Sequence, residues 1–397
     1  LPALSFLDAR STVLREVRSR LLSPTVVSVP LAEAHGRVLA QNIAADRDAP
    51  PFDRAMRDGF AVRATEIPGT LQVSGEVRAG GLFEGSPCAG QAVEIMTGAP
   101  VPHGLNAVVM IEHCIRHADG SISTDKILPP NANIARRGCE ATRGTILARP
   151  GLRIDYATVS LLASNGCATV QVYEKPRVAI LATGDEIVAV DQHPAPHQIR
   201  NSNAWSLAAQ VERAGGIALV LPVAPDLLSE TCELIEEGLK KADLLLLSGG
   251  VSAGKYDVVE PALATLGAEF FFDRVLIQPG APLVFGHARG KFFFGLPGNP
   301  GSTMVTFELF ARAALDLLSG ASEAPLPMTL ARVTRPFRHK PGLTRFLPAT
   351  LSCVEITPVD WQGSGDVPSL SRANAFLVAE PDHPEYAAGD LIGVLLK

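Results

Sequence analysis

No run of 18 apolar residues occurs in the 397-residue chain, so no helical membrane crossing is expected. Cysteine is scarce and scattered. The six, at positions 88, 114, 139, 167, 232 and 353, form no C-x-x-C pair. That spacing excludes a zinc ribbon and fits a reducing cytoplasm. Positive charge is not concentrated either. The 35 Lys and Arg are outnumbered by 41 Asp and Glu, the net charge is −6 and no basic run occurs, which argues against a nucleic-acid surface. The opening Leu1-Pro-Ala-Leu-Ser-Phe6 lacks the basic flank and apolar core of a secretion signal. No G-x-x-x-x-G-K-[ST] and no G-x-G-x-x-G is present, so neither a P-loop nor a dinucleotide fingerprint is expected. No Ser/His/Asp order stands out. His113 and His117 are four apart, but in β texture, where they would not share a helical face.

What is present is a globular composition, 47% hydrophobic and 19% charged, rich in turn formers with 35 Gly and 31 Pro. The length calls for two to four domains. Residues 4–22 have helical periodicity, with Leu7, Val13, Leu14, Val17, Leu21 and Leu22 on one face. From Thr25 to about Ala141 the texture is short β-like runs broken by Gly, Pro and Asp. Residues 143–174 hold a helix and a strand. From Arg177 strands and helices alternate: Val178–Ala182, then a helix over Asn203–Ala214, Ile217–Leu221, a helix over Leu228–Ala242, Leu244–Leu247, Phe292–Phe294 and a long helix over Ser302–Leu318. Such alternation predicts a parallel sheet with right-handed crossovers. After Gly320–Pro327 the chain reads as a small β domain to its end.

The stretch around Leu244–Leu247 organises the chemistry. Four consecutive leucines predict a strand buried on both faces. It ends in Ser248-Gly249-Gly250-Val251-Ser252, and Asp257 follows just before another helical stretch. Two more strand ends carry small-residue turns, Thr183-Gly184-Asp185-Glu186 and Gly295-Leu-Pro297-Gly298-Asn299-Pro300. In an open parallel sheet such loops meet at the carboxyl edge of the strands, where ligands bind. Glycines let backbone N–H groups approach a ligand, so a phosphate-bearing or anionic ligand is expected. Glu186 and Asp257 each follow one of these loops. They read either as carboxylates bridged to phosphate by Mg²⁺ or as acids favoured by helix N-termini. Residues Pro50–Val62 read as two turns with local Asx-type hydrogen bonds.

The ordered segments Pro51-Phe-Asp53 with Asp58-Gly59, Met96–Pro102, Asn133–Gly138, Thr183–Glu186, Gln198–Asn203, Ser248–Asp257, Gly295–Pro300, Gln362–Gly365 and Ser371–Asn374 closely resemble those of the molybdopterin molybdotransferase family, which includes MoeA and the E domain of gephyrin. The resemblance covers essentially the whole chain. It implies a multidomain α/β plus β fold. A mixed linker domain would comprise residues 1–26 and 143–176. A β-rich domain would span 27–142, a molybdopterin-binding-like α/β domain with a mostly parallel sheet 177–325, and a C-terminal β domain 326–397.

It also implies a cytoplasmic, Mg²⁺-dependent transferase. The enzyme would insert molybdate into adenylylated molybdopterin with release of AMP, as a homodimer whose site is shared between subunits. Carried over by position, Asp58, Thr97, Glu140, Glu186 and Asp257 match polar active-site positions. Gly184, Asp185, Ser248, Gly249, Gly250, Ser252, Gln278, Pro297, Gly298, Asn299, Pro300 and Arg345 match cofactor-binding positions, and Glu186 and Asp257 would hold the metal. Three departures from the family pattern stand out. Glu140 stands where Asp is usual, placing the carboxylate roughly 1 Å further out. Gln278 and Ala281 replace two lysines, so a dianion would need other cations, such as Lys255, Arg274, Arg345 or Arg372. Leu105-Asn106 stands where Ala-Asp is usual. A non-catalytic pterin-binding or scaffolding homologue is the alternative these changes suggest. A nucleotide-adenylylating relative is a third.

Overall fold

The structure is a computed structural model and describes residues 2–250 and 258–397. The chain divides into two compact units. One comprises residues 1–40, 150–155 and 170–397, the other residues 41–149 and 156–169.

The first unit is built on a six-stranded mixed sheet. In spatial order its strands are Ile217–Val220, Arg177–Ala182, Leu244–Ser248, Lys291–Leu296, Val284–Ala288 and Glu269–Phe272. The first four are parallel and the last two antiparallel. Each central strand alternates its side chains between two apolar layers. Val178, Ile180, Leu244, Leu246, Phe292 and Phe294 enter one, and Ala179, Leu181, Leu245, Leu247 and Phe293 the other. That is why the leucine run needs no polar position.

Helices cover both faces. Leu228–Lys241 and Val259–Thr265 lie on one. Ser202–Arg213, the N-terminal helix Phe6–Arg20 and the long helix beginning at Pro300 lie on the other. The N-terminal helix is capped by Ser5, whose side chain accepts from the Asp8 amide at 3.2 Å. The helix expected over Ser302–Leu318 runs from Pro300 to Leu318 but contains a π-helical segment, Phe307–Ala311. There the Leu309 carbonyl accepts from the buried Arg10 guanidinium at 2.5 Å. A side chain contributed from nearly 300 residues away cannot be anticipated from helical periodicity.

The end of the same unit is a closed ring of five strands: Met328–Val333, Thr344–Ser352, Glu355–Pro358, Ala375–Ala379 and Leu391–Leu396. Closure removes free edges. The ring is filled by Ala331, Val333, Ile356, Leu377, Tyr386 and Val394 among others. Ile277–Gln278 pairs in parallel with Thr344 and Arg345 at the start of one ring strand.

The second unit centres on another six-stranded sheet, in spatial order Ala107–Met110, Gly59–Val62, Gln91–Ile95, Gly69–Val77, Ser121–Thr124 and Ile115–Arg116. Phe60 and Val62 face one apolar layer and Ala61 the other. Gly59 is dictated by packing. A Cβ there would lie 1.9 Å from the Val109 carbonyl oxygen. Among the described residues no helix is long and apolar enough to cross a membrane.

Candidate functional site

In the first unit all three small-residue loops converge. Thr183 and Glu186, Ser248 and Gly249, and Gly298, Asn299 and Pro300 line one cavity of about 300 Å³. The convergence follows from register. Strands Arg177–Ala182, Leu244–Ser248 and Lys291–Leu296 are parallel neighbours aligned so that Ala182, Ser248 and Leu296 are paired in sequence across the sheet. The loops therefore leave the same edge side by side.

Backbone contacts fix their geometry. The Thr183 amide donates to the Ser248 carbonyl at 3.1 Å, and the Gly249 amide to the Leu296 carbonyl at 3.2 Å. Gly249 has φ +95°, and a Cβ there would lie 2.9 Å from the Thr183 carbonyl oxygen. Glycine is thus required twice over, by conformation and by space. Gly184, at φ +134°, lets the Glu186 carboxylate fold back over the loop, since a Cβ would sit 2.3 Å from its Oε2.

Two residues not nominated from sequence prove central. Asn203, in the first turn of the Ser202–Arg213 helix, reaches across the pocket. Its Nδ2 donates to Ser248 Oγ at 2.8 Å and to the Gly298 carbonyl at 2.7 Å, joining two of the loops. Thr183 is 4% exposed and lines the pocket. The signal available in the sequence was a polar side chain just inside a helix start beside Asn201. Asn201 itself is the N-cap, accepting from the Ala204 amide. Ile187 and Ile199 supply an apolar wall, and Arg200 is the one cation among the described lining residues. Arg200 Nε donates to the Gln192 carbonyl at 3.1 Å.

The other nominated residues of this unit lie around or away from the pocket. Asp185 turns from it, accepting from the Asp226 amide at 3.1 Å. Gly250, at φ +62°, continues the Ser248 turn, and the Pro297 carbonyl accepts from Thr303 Oγ1 at 2.6 Å. Gln278 and Arg345 are register partners at the start of a strand of the C-terminal ring and do not line the pocket. Arg345 Nε donates to the Lys340 carbonyl, and partial burial lowers its pKa. Ser252, Lys255 and Asp257 lie outside the described residues. Among the described residues no group of three or more His, Cys, Asp or Glu is placed to hold a metal.

In the second unit three of the family-like segments meet. Arg54-Ala55 pairs with Ile134-Ala135, the Gly98 amide donates to the Ala55 carbonyl, and the Ala55 amide donates to the Ala99 carbonyl. Asp58 Oδ1 accepts from both the Thr97 amide at 2.6 Å and Thr97 Oγ1 at 2.8 Å. The backbone bond first, then the hydroxyl, holds the Asp58 pKa below the ordinary carboxylate value. Asp53 Oδ1 accepts from the Arg137 amide at 2.8 Å. Glu140 pairs with Arg54 at 2.9 Å.

The expected local Asx turns over Pro50–Val62 are therefore corrected for Asp53 and Asp58. Their carboxylates cap backbone 84 and 39 residues away. Tertiary docking of three loops offers donors better aimed than the local ones.

The cavity at the carboxyl edge of a mostly parallel sheet, joined in one chain to a β-rich unit and a closed β ring, defines a multidomain protein built around a ligand-binding type of α/β domain. Residues 179–317 match the family described as "Probable molybdopterin binding domain". Residues 4–166 match "MoeA N-terminal region (domain I and II)", and residues 330–397 match "MoeA C-terminal region (domain IV)". A molybdopterin molybdenumtransferase of Bacillus subtilis (strain 168) is 36% identical over 383 residues, covering 93% of this chain and 89% of that one. One from Staphylococcus aureus (strain MRSA252) is 30% identical over 401 residues, covering 98% and 95%. The crystal structure of the molybdopterin biosynthesis moeA protein from Pyrococcus horikoshii OT3 superposes with a TM-score of 0.82 at 28% identity over the whole of both chains. The chain belongs to the MoeA family of molybdopterin molybdenumtransferases.

Proposed function

We propose that the protein is a transferase of molybdenum cofactor biosynthesis that inserts molybdate into adenylylated molybdopterin with release of AMP. The observation that carries this reading is the meeting of three strand-end loops on one pocket in a chain of this family. Ser248, Asn203 and the Gly298 carbonyl form a bonded frame around that pocket, so a ligand meets groups already oriented, which limits reorganisation on binding. Ile187 and Ile199 offer an apolar wall to a flat ring and exclude water from it.

A divalent cation fits the donor set. Glu186 is a carboxylate on the pocket wall with no ion-pair partner among the described residues, and Mg²⁺ is commonly held by one or two carboxylates together with substrate phosphates. Glu186 and Asp257 would hold it. When bound, Mg²⁺ supplies positive charge to the phosphoanhydride oxygens. In the homodimer that the family resemblance implies, Asp58 and Thr97 would serve the site of the partner subunit. The bonds from Thr97 fall on Asp58 Oδ1 and favour the ionised carboxylate. The family resemblance assigns the enzyme a homodimer with a shared site and a cytoplasmic setting.

The test is direct. Purified protein, adenylylated molybdopterin, molybdate and Mg²⁺ should yield AMP, and Glu186→Gln should lower its rate. No AMP release by the wild-type protein would reject the reading. Normal pterin binding without AMP release would favour the non-catalytic homologue, which Gln278 and Ala281 in place of lysines also support.

A further inference from the structure

The pocket contains hydrogen-bonding capacity that the protein itself leaves unused. The orientation of the Asn203 amide is set by Gly298. A backbone carbonyl only accepts, so the atom 2.7 Å from it must be Nδ2. Nδ2 also serves Ser248 Oγ. Oδ1 is consequently directed elsewhere, and it is buried with no partner among the described residues. Thr183 Oγ1 is likewise buried and without a partner among them. Both residues line the same cavity. The space at the Thr183 hydroxyl depends on Gly250, where a Cβ would lie 2.8 Å from Oγ1. Leaving such groups unsatisfied is costly, so orphans at a pocket wall point to a ligand that completes them.

The chemistry of the orphans restricts that ligand. Asn203 Oδ1 can only accept. The nearby Glu186 carboxylate, when ionised, can only accept as well. Arg200 is the one cation among the described lining residues, and its Nε is already committed to the Gln192 carbonyl. Phosphate and molybdate dianions bring acceptors and negative charge, and without an intervening cation both are mismatched to the corner at Asn203 Oδ1. A pterin carries an exocyclic 2-amino group beside a ring N–H, which are donors on one edge.

We propose that the Thr183–Asn203 corner is a specificity-determining subsite that reads the amino–lactam edge of the pterin, and that the anionic groups of the substrate bind away from it. The assignment rests on the function proposed above.

The experiment measures binding to the full chain of a simple pterin, of the corresponding lumazine, in which oxygen replaces the 2-amino group, and of AMP. The proteins are wild type, Thr183→Val and Thr183→Ser. Ring fluorescence reports the first two ligands and calorimetry the third. Wild type should bind the pterin at least about tenfold tighter than the lumazine, because the buried acceptor is left facing an oxygen. Thr183→Val should lose roughly three- to tenfold in pterin affinity with AMP affinity unchanged, and Thr183→Ser should restore it. Equal binding of pterin and lumazine by wild type, or equal losses for pterin and AMP in Thr183→Val, would overturn the subsite while AMP release still stood. No pterin binding by wild type, with no AMP release either, would overturn the subsite and the proposed function together.

Discussion

Glu308 gives the sharpest test of how the pocket is held open. It sits in the π-helical segment and is 3% exposed, yet it carries a carboxylate. Oε1 accepts from Gln210 Nε2 and Arg213 Nη2, each at 2.8 Å, and Oε2 accepts from Arg312 Nη1 at 3.0 Å. Gln210 Nε2 also donates to the Met304 carbonyl at 3.2 Å. These bonds tie the far end of the Ser202–Arg213 helix to the Pro300 helix, while Asn203 ties its near end to Gly298. The perturbation is Glu308→Leu, which keeps the volume and removes the acceptors. Removing one member of a buried ion pair commonly costs about 3–5 kcal/mol. Here the side chains of Arg213 and Arg312 are 47% and 28% exposed and can turn to water, which reduces the expected loss to roughly 2–3 kcal/mol. Glu308→Gln keeps one acceptor oxygen and should lose about half as much.

The assay is equilibrium urea unfolding followed by tryptophan emission. The chain's two tryptophans, Trp205 and Trp361, both lie in this unit, so the signal reports it alone. With a urea slope of about 3 kcal/mol/M, the Leu variant's midpoint should fall by roughly 0.7–1 M. A Leu variant within about 0.5 kcal/mol of wild type, the usual scale for an inconsequential surface change, would show that the network contributes nothing to the fold and would refute the reasoning.

Two further outcomes follow from the same geometry. Gly249→Ala should cost pterin binding at least about tenfold and lower stability by roughly 1–3 kcal/mol, because a left-handed backbone and a Cβ 2.9 Å from the Thr183 carbonyl both oppose it. Calorimetric titration with a pterin and a melting curve check it. Thr97→Val should raise the Asp58 pKa toward 3.8, visible as a shifted carboxyl chemical shift in an NMR titration. Because the folded Asp58 pKa is depressed, its contribution to stability is present above the ordinary carboxylate range and is lost as pH falls through the folded value. Removing the Thr97 hydroxyl should therefore make that acid-side loss smaller and complete it at a higher pH, while its onset, set by the unfolded carboxyl, stays in place.

Much of the architecture was written in local pattern. Leu244–Leu247 has no polar face because it is covered on both sides, and that alone announced a central strand. The three glycine-bearing turns were legible as strand ends, and their meeting at one edge followed from parallel register, as the pairing of Ala182 with Ser248 and of Ser248 with Leu296 shows. Local pattern carries this information because strand burial and tight turns depend on side chains within a few residues of each other. What only the tertiary structure decided was which polar atoms find partners. Asp53 and Asp58 seemed to belong to local turns but cap distant loops, and Arg10 reaches into a helix some 300 residues away. Thr183 and Asn203 became notable only when Gly298 and Ser248 fixed one end of an amide and left its other end, and a neighbouring hydroxyl, bare inside a cavity. Hydrogen bonds are short-ranged and directional, so their satisfaction is a property of packed neighbours and not of sequence neighbours.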